Sequence, residues 1–236
     1  MSIALNVKDY FTAAVVLAAG SGSRMGMDLT KQRISICGKS VLRHSLEAFE
    51  SAELVDTVVI VCREDELDFA KAESIGLKKI SKIVIGGNCR AESSKNGFLA
   101  IPEEAKFVMF HDAARCLISS DDINSVAKAA YECGAATASQ KITDTIKECN
   151  SDDTVKRTVQ RETLRSVQTP QAFSVSNYKN ALGNISALDA SITDDNSIVE
   201  SLGVKIKCVD TDALNIKITR SSDLELAEFI LGKRSL

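Results

Sequence analysis

Short β-branched runs alternate with stretches of helical period along most of this chain. That rhythm constrains the fold more than any other feature. Residues 13–18 (AAVVLA) are apolar throughout and run into glycine; residues 57–62 (TVVIVC) form a second such run. Neither alternates with polar residues, as expected of strands covered on both faces. Residues 82–85 and 106–110 (KFVMF) predict two more strands. Between these runs, Val41, Leu42, Leu46 and Phe49 recur at helical spacing and predict a helix over 40–51. Residues 64–74 and 90–100 predict further helices, and Ser119 or Ser120 caps another that runs to Cys133. Strand, helix, strand at this spacing means βαβ units. The expected fold is α/β: a Rossmann-like, mostly parallel sheet flanked by helices, with all 236 residues in one domain.

The rhythm breaks at about 140–168. Residues 141–148 and 154–159 alternate apolar and polar side chains around the turn-prone 150–153, which predicts an antiparallel hairpin projecting as an arm. Helical patterns return at 175–182 and 194–202, then a strand at 205–209 and a helix capped near Ser221 or Ser222.

Charge and composition exclude several classes. A net charge of −3 and a pI near 5.6 give no long-range attraction to nucleic acid or anionic membrane. With no Trp and few aromatics there is no stacking platform for single strands. The N-terminus, charged at Lys8 and Asp9, is neither a signal peptide nor a membrane span, so a cytoplasmic protein is expected. Seven cysteines without a CxxC pair give no zinc or disulfide framework, and are expected as buried small hydrophobes.

Three segments after strands carry chemistry. Residues 17–31 place Gly20, Gly22 and Gly26 beside Arg24 and Lys31. Small residues let backbone N–H groups approach an anion, and two cations suit a nucleoside triphosphate with its about four negative charges. No Gly-Lys-Ser/Thr follows, so this is not a Walker A loop. The third glycine comes one residue late for a dinucleotide fingerprint, and only Glu64 could serve as its acid. In residues 86–97 (GGNCRAESSKNG), Asn88 and Ser93 have the chemistry to meet a base, although a serine-capped helix start explains them equally well. In residues 111–115 (HDAAR), Asp112 can hold Mg²⁺ or a substrate hydroxyl, and Arg115 a phosphate or Asp112 itself. His111 is read as a packing residue. Nothing in the spacing of Thr145, Arg161, Thr169, Thr193 and Lys217 singles them out.

LAAGSGSRMG with TKQ, GG..RAES..NG, HDAAR, ITDTIK, QTPQ, ITDD and NIKIT occur in one order, and this order resembles the 2-C-methyl-D-erythritol 4-phosphate cytidylyltransferases from about Ala13 to Leu231. The resemblance implies transfer of the cytidylyl group of CTP to a polyol phosphate, Mg²⁺ as cofactor, and a homodimer joined through the β-arm. It implies Ala18, Ala19, Gly20, Gly22, Arg24 and Lys31 lining the nucleotide site, with Arg24 and Lys31 on the triphosphate; Gly87, Asn88 and Ser93 at cytosine; and Ala113 at the ribose. It implies Asp112, Arg115, Thr169, Thr193 and Lys217 at the second substrate. Arg24, Lys31, Asp112 and Lys217 would carry catalysis, with Mg²⁺ on Asp112 or held mainly by the CTP phosphates. Thr145 and Arg161, on the arm, would reach the neighbour's substrate.

The chain departs from the family pattern at Thr30 (usually Pro), Arg33 (an aromatic), Asn88 (often Asp), Cys116 (Pro) and Asn196 (often Ala). A ribitol-phosphate cytidylyltransferase shares most of the motifs, but the strings LAAG and HDAAR favour methylerythritol phosphate. A CTP-binding domain without activity is the alternative of another class. Arg24, Lys31, Asp112 and Lys217 argue against it, because loss of function removes such groups first.

Overall fold

The computed structural model describes residues 10–20, 30–185, 188, 191–212 and 214–234. The glycine-rich segment that holds Gly22 and Arg24 lies outside the described residues. Strand β1 (Thr12–Leu17) is buried along its whole length. Two short strands, β2 (Ser35–Ile36) and β3 (Lys39–Ser40), form a small hairpin that feeds α1 (Val41–Ser51), capped by the Ser40 hydroxyl. Next come β4 (Thr57–Cys62), a 3-10 turn (Glu64–Glu66), α2 (Leu67–Ser74), β5 (Ile80–Ile85), α3 (Arg90–Ala100) and β6 (Phe107–Asp112). Helix α4 (Ser120–Cys133) is capped by Ser119 and closed by Gly134 at φ +79°. The chain continues through β7 (Ala135–Lys141), β8 (Ile146–Cys149), β9 (Val155–Val159), β10 (Arg165–Ser174) and α5 (Val175–Asn184). It ends with α6 (Asp195–Glu200), β11 (Lys207–Asp210) and α7 (Ser221–Arg234).

Seven strands form one sheet in the order β11-β7-β10-β6-β1-β4-β5. All pairings are parallel except those of β10, which runs antiparallel to both β6 and β7. The chain moves outward from β1 through β4 to β5, then returns to lay β6 on the other side of β1. That reversal is the switch point of an open α/β sheet, where a crevice forms at the carboxyl ends of the strands. Alternation along β1 divides the core. Ala14 and Val16 face the cluster under α1 and α4, while Val15 and Leu17 face the cluster under α3, α5 and α6.

Two strands differ from the sequence reading. β7 and β10 were not expected, and they carry the arm. Both are central, β7 being buried over Ala135–Ser139 on both faces, so neither shows period-two alternation. Pro170 argues against a strand in β10. It is tolerated because it lies between Val167 and Gln171, where the register with β7 shifts. The expected hairpin exists as β8 paired with β9, shorter than predicted on its first strand. The cysteines correct an expectation outright. Cys62 and Cys116 are buried, Cys89 is half-buried, and Cys37, Cys133, Cys149 and Cys208 are exposed; all seven are free. Cys133 ends a helix, and Cys149 and Cys208 lie on the arm and on the edge strand β11, beyond the reach of the core.

Candidate active site

The crevice at the ends of β1, β5 and β6 holds a cavity of about 430 Å³. Ala19 and Gly20 after β1, Lys31, and Gly87, Asn88 and Ser93 at the start of α3 all line it. A Cβ on Gly86 would come within 2.6 Å of Ala19 Cβ and 2.9 Å of Ser93 Oγ, so glycine lets the loop after β5 press against the end of β1. Ser93 shapes that loop. Its hydroxyl donates to the Cys89 carbonyl at 2.9 Å and accepts from the Gly87 N–H at 3.1 Å. Asn88 donates its N–H and its side-chain amide to Glu92 Oε2, at 2.7 and 3.0 Å.

A second cavity of about 260 Å³ lies alongside, lined by Arg115, Gln168, Thr169, Thr193 and Asp194. Arg90, Asp112 and Lys217 line both cavities and form the wall between them. Asp112, the last residue of β6, is gripped on both oxygens. Arg90 Nε donates to Oδ1 at 3.2 Å and Lys217 Nζ to Oδ2 at 2.6 Å. Burial alone would raise its pKa, but the Arg90 and Lys217 charges prevail and hold the carboxyl well below the usual carboxylate range. The Asp112 N–H donates to Thr169 Oγ1 at 3.0 Å, and the same hydroxyl lies 3.1 Å from His111 Nδ1. Asn215, fully buried, holds the segment before Lys217. Its side-chain amide donates to Gln168 Oε1 at 2.9 Å and to the Thr169 carbonyl at 3.0 Å, while its backbone carbonyl accepts from Arg115 Nη1 at 3.0 Å. Lys31 Nζ donates to the Ile218 carbonyl at 3.3 Å, beside Lys217. The arrangement suits two polyanionic ligands meeting at one charged partition.

The structure thus brings Ala19, Gly20, Lys31, Gly87, Asn88, Ser93, Asp112, Arg115, Thr169, Thr193 and Lys217 to two adjoining cavities. Ala18 and Ala113 are buried and line neither cavity, and Ala114 stands on the wall of the first where Ala113 was expected. Thr145 and Arg161 line neither cavity; Arg161 donates to the Thr143 carbonyl at the base of the arm. The ion pair considered between Asp112 and Arg115 is instead made by Arg90, a residue whose role the sequence reading missed. It was visible only as the first charge after the 86–87 glycines. Asp112 does not fit a metal site, since both of its oxygens already serve cations. Among the described residues no group of three or more His, Cys, Asp or Glu could hold a metal ion. His111 is fully buried, and burial pushes its imidazole down to about 3, so it packs as a neutral ring against Phe49.

The model of the 2-C-methyl-D-erythritol 4-phosphate cytidylyltransferase family matches residues 12–233. The chain belongs to that family. It is therefore a cytidylyltransferase, a kind of nucleotidyltransferase. The enzyme of that name from Pelotomaculum thermopropionicum is 42% identical over 225 residues, covering 94% of each chain. The one from Alkaliphilus oremlandii is 37% identical, covering 94% of this chain and 96% of its own. In three dimensions the chain is similar to the crystal structure of 4-diphosphocytidyl-2C-methyl-D-erythritol synthase from Anaerococcus prevotii. The TM-score is 0.84 at 28% identity, with 94% of this chain and 99% of that one covered. Two of this cytidylyltransferase's departures from the family pattern have a common partner. Thr30 Oγ1 donates to Glu66 Oε1 at 3.0 Å and Arg33 Nε to Glu66 Oε2 at 2.8 Å. Lys31 lies between them. Cys116 packs in the core under α7, where burial pushes its thiol up to about 12. Asn196 donates its N–H to Gln171 Oε1 at 3.1 Å.

Proposed function

We propose that the protein joins CTP to the phosphate of 2-C-methyl-D-erythritol 4-phosphate, releasing pyrophosphate and forming 4-diphosphocytidyl-2-C-methyl-D-erythritol for isoprenoid biosynthesis. One observation carries the reading: two cavities share a wall of Arg90, Asp112 and Lys217, so two phosphorylated substrates can meet across it. The nucleotide takes the larger cavity, its triphosphate toward Lys31 and its base toward Gly87, Asn88 and Ser93; Arg24 is assigned to the triphosphate by the sequence motif alone. The polyol phosphate takes the smaller one, its phosphate toward Lys217, Arg115 and Thr193 and its hydroxyls toward Asp112 and Thr169.

A substrate phosphate oxygen attacks the α-phosphorus of CTP in line. The new P–O bond forms as the bond from the α-phosphorus to the bridging oxygen breaks, and that electron pair leaves on pyrophosphate. A phosphate monoester is already a nucleophile at neutral pH, so the chain supplies no general base. Its work is to position two polyanions and to offset charge in the transition state. Mg²⁺, in this reading, comes bound to the triphosphate, because Asp112 is committed to cations. The exposed β8–β9 hairpin, with Val155 61% exposed, supports the proposal of a homodimer in which Thr145 and Arg161 serve the neighbour's site.

The test is pyrophosphate release with CTP, comparing methylerythritol phosphate with ribitol 5-phosphate, and with ATP, GTP and UTP as base controls. Release is expected with CTP and methylerythritol phosphate together. Faster turnover of ribitol phosphate, or equal use of another nucleotide, would overturn the assignment.

A further inference from the structure

Asp195 is fully buried and lines neither cavity, yet it is bonded to the wall between them. Arg90 Nη1 donates to its Oδ2 at 2.8 Å, while Arg90 Nε reaches Asp112 Oδ1 at 3.2 Å. One guanidinium therefore spans a carboxylate in the core and a carboxylate in the site, a task that needs a planar fork of donors. Behind it, the Tyr178 hydroxyl donates to Asp195 Oδ1 at 2.8 Å, and the Asp195 N–H is held by Gln171 Oε1 at 2.9 Å. Tyr178 is itself fully buried, packed against Phe98, Phe110 and Phe173. Asp195 is thus fixed from the core at Oδ1 by Tyr178 and at its N–H by Gln171, which leaves Oδ2 to hold Arg90. Asp112, held by Arg90, holds Lys217 with its other oxygen at 2.6 Å. The sequence separations are long, 105 positions from Arg90 to Asp195 and 105 from Asp112 to Lys217. The chain of contacts exists only in the fold.

We infer that Asp195 is a positioning residue for the transfer reaction: anchored by Tyr178, it sets the Arg90 guanidinium, which sets Asp112 and through it Lys217. The inference rests on the reaction proposed above. A buried carboxylate with one cationic partner is costly to keep, and removing its charge leaves the partner uncompensated. In Asp195→Asn, Arg90 keeps only the longer contact to Asp112. The partition then loses its fixed geometry, though it keeps every group that touches substrate.

Wild-type pyrophosphate release is measured first, then Asp195→Asn, Arg90→Lys and the double variant, with thermal midpoints taken for each. Asp195→Asn keeps the size and the acceptor for Tyr178. It is expected to lower kcat/KM for methylerythritol phosphate by about tenfold or more, with Arg90→Lys comparable. The double variant should be no worse than the weaker single one, because both break the same link. Losses that multiply, or a folded Asp195→Asn protein with wild-type kcat and KM, overturn the relay; a role in packing alone would move only the midpoint. Should Asp195→Asn not fold, Tyr178→Phe carries the test. A fall of about threefold in kcat supports the relay, and an unchanged kcat overturns it. If wild type releases no pyrophosphate, the reading of the reaction has failed. The relay is then read by NMR from exchange of the Arg90 Nη1–H protons, slow in wild type, where Asp195 accepts from them, and fast in Asp195→Asn. Equal exchange overturns it.

Discussion

Replacing Gly97 by alanine should weaken both the fold and the nucleotide cavity. Gly97 faces the sheet from the middle of α3, and a Cβ there would lie 2.3 Å from Val15 Cγ1 and 2.8 Å from Val61 Cγ2. Both valines are fully buried in adjacent strands, and β-branched side chains have few rotamers to retreat into. Overpacking of this kind costs about 1–3 kcal/mol, and the contacts put it at the upper end. Alanine returns about 1 kcal/mol of helix propensity. The net loss is about 2 kcal/mol, which for a chain of this size lowers the midpoint by about 5 °C. Because α3 carries Arg90 and Ser93, moving it off the sheet should also raise KM for CTP. The control is Gly183→Ala in α5, where a Cβ meets nothing within 4 Å. That change should stabilise the protein by about 0.5–1 kcal/mol. Thermal and urea unfolding of the three proteins decide it. A Gly97→Ala midpoint equal to or above wild type would refute the packing argument.

Three further outcomes follow from the site. Lys31→Ala should cut turnover at saturating substrates by about 10²–10³, and near-normal kcat would remove Lys31 from the transition state. Mixed Lys31→Ala and Arg161→Ala subunits should recover activity that neither homodimer has; no recovery after proven subunit exchange would contradict a shared arm. His111, pushed down to about 3 by burial, titrates near 6.5 once unfolded, so the unfolded chain binds the extra proton between those values. Its contribution is complete above the unfolded value and is lost as pH falls toward the folded one, by about 2 kcal/mol from pH 7 to pH 5. Urea midpoints should therefore fall more steeply in wild type than in His111→Asn, and parallel falls would refute the assignment.

The parallel half of the fold was legible because β1, β4 and β6 are nearly uniform apolar runs, glycines follow β1 and β5, and α1 carries a clear period. The candidate site was legible where it sits on strand ends: Gly20, Gly87 and Asp112 each follow a run that reads as a strand. β7 and β10 were hidden for opposite reasons. β7 is made largely of alanine and serine, which signal no strand, and β10 contains a proline that sits harmlessly in its irregularity. The links that organise the site were hidden more deeply. Asn215 serves Gln168, Thr169 and Arg115, none of them a neighbour in sequence, and its amide looks like any loop asparagine until β10 lies beside it.

The departures from the family pattern show the same limit from the other side. In the sequence, Thr30 and Arg33 read as two separate losses, a proline that stiffens the loop and an aromatic that packs. In the fold both side chains close on Glu66, which is 7% exposed, and the Arg33 guanidinium stacks 4.6 Å above the Phe69 ring. A proline restrains backbone before folding, whereas a carboxylate shared by two donors restrains it only afterwards. Lys31, between the two donors, is held in either case. The substitutions therefore exchange one restraint on the backbone around Lys31 for another, and Glu66, which no motif contains, becomes part of what positions Lys31.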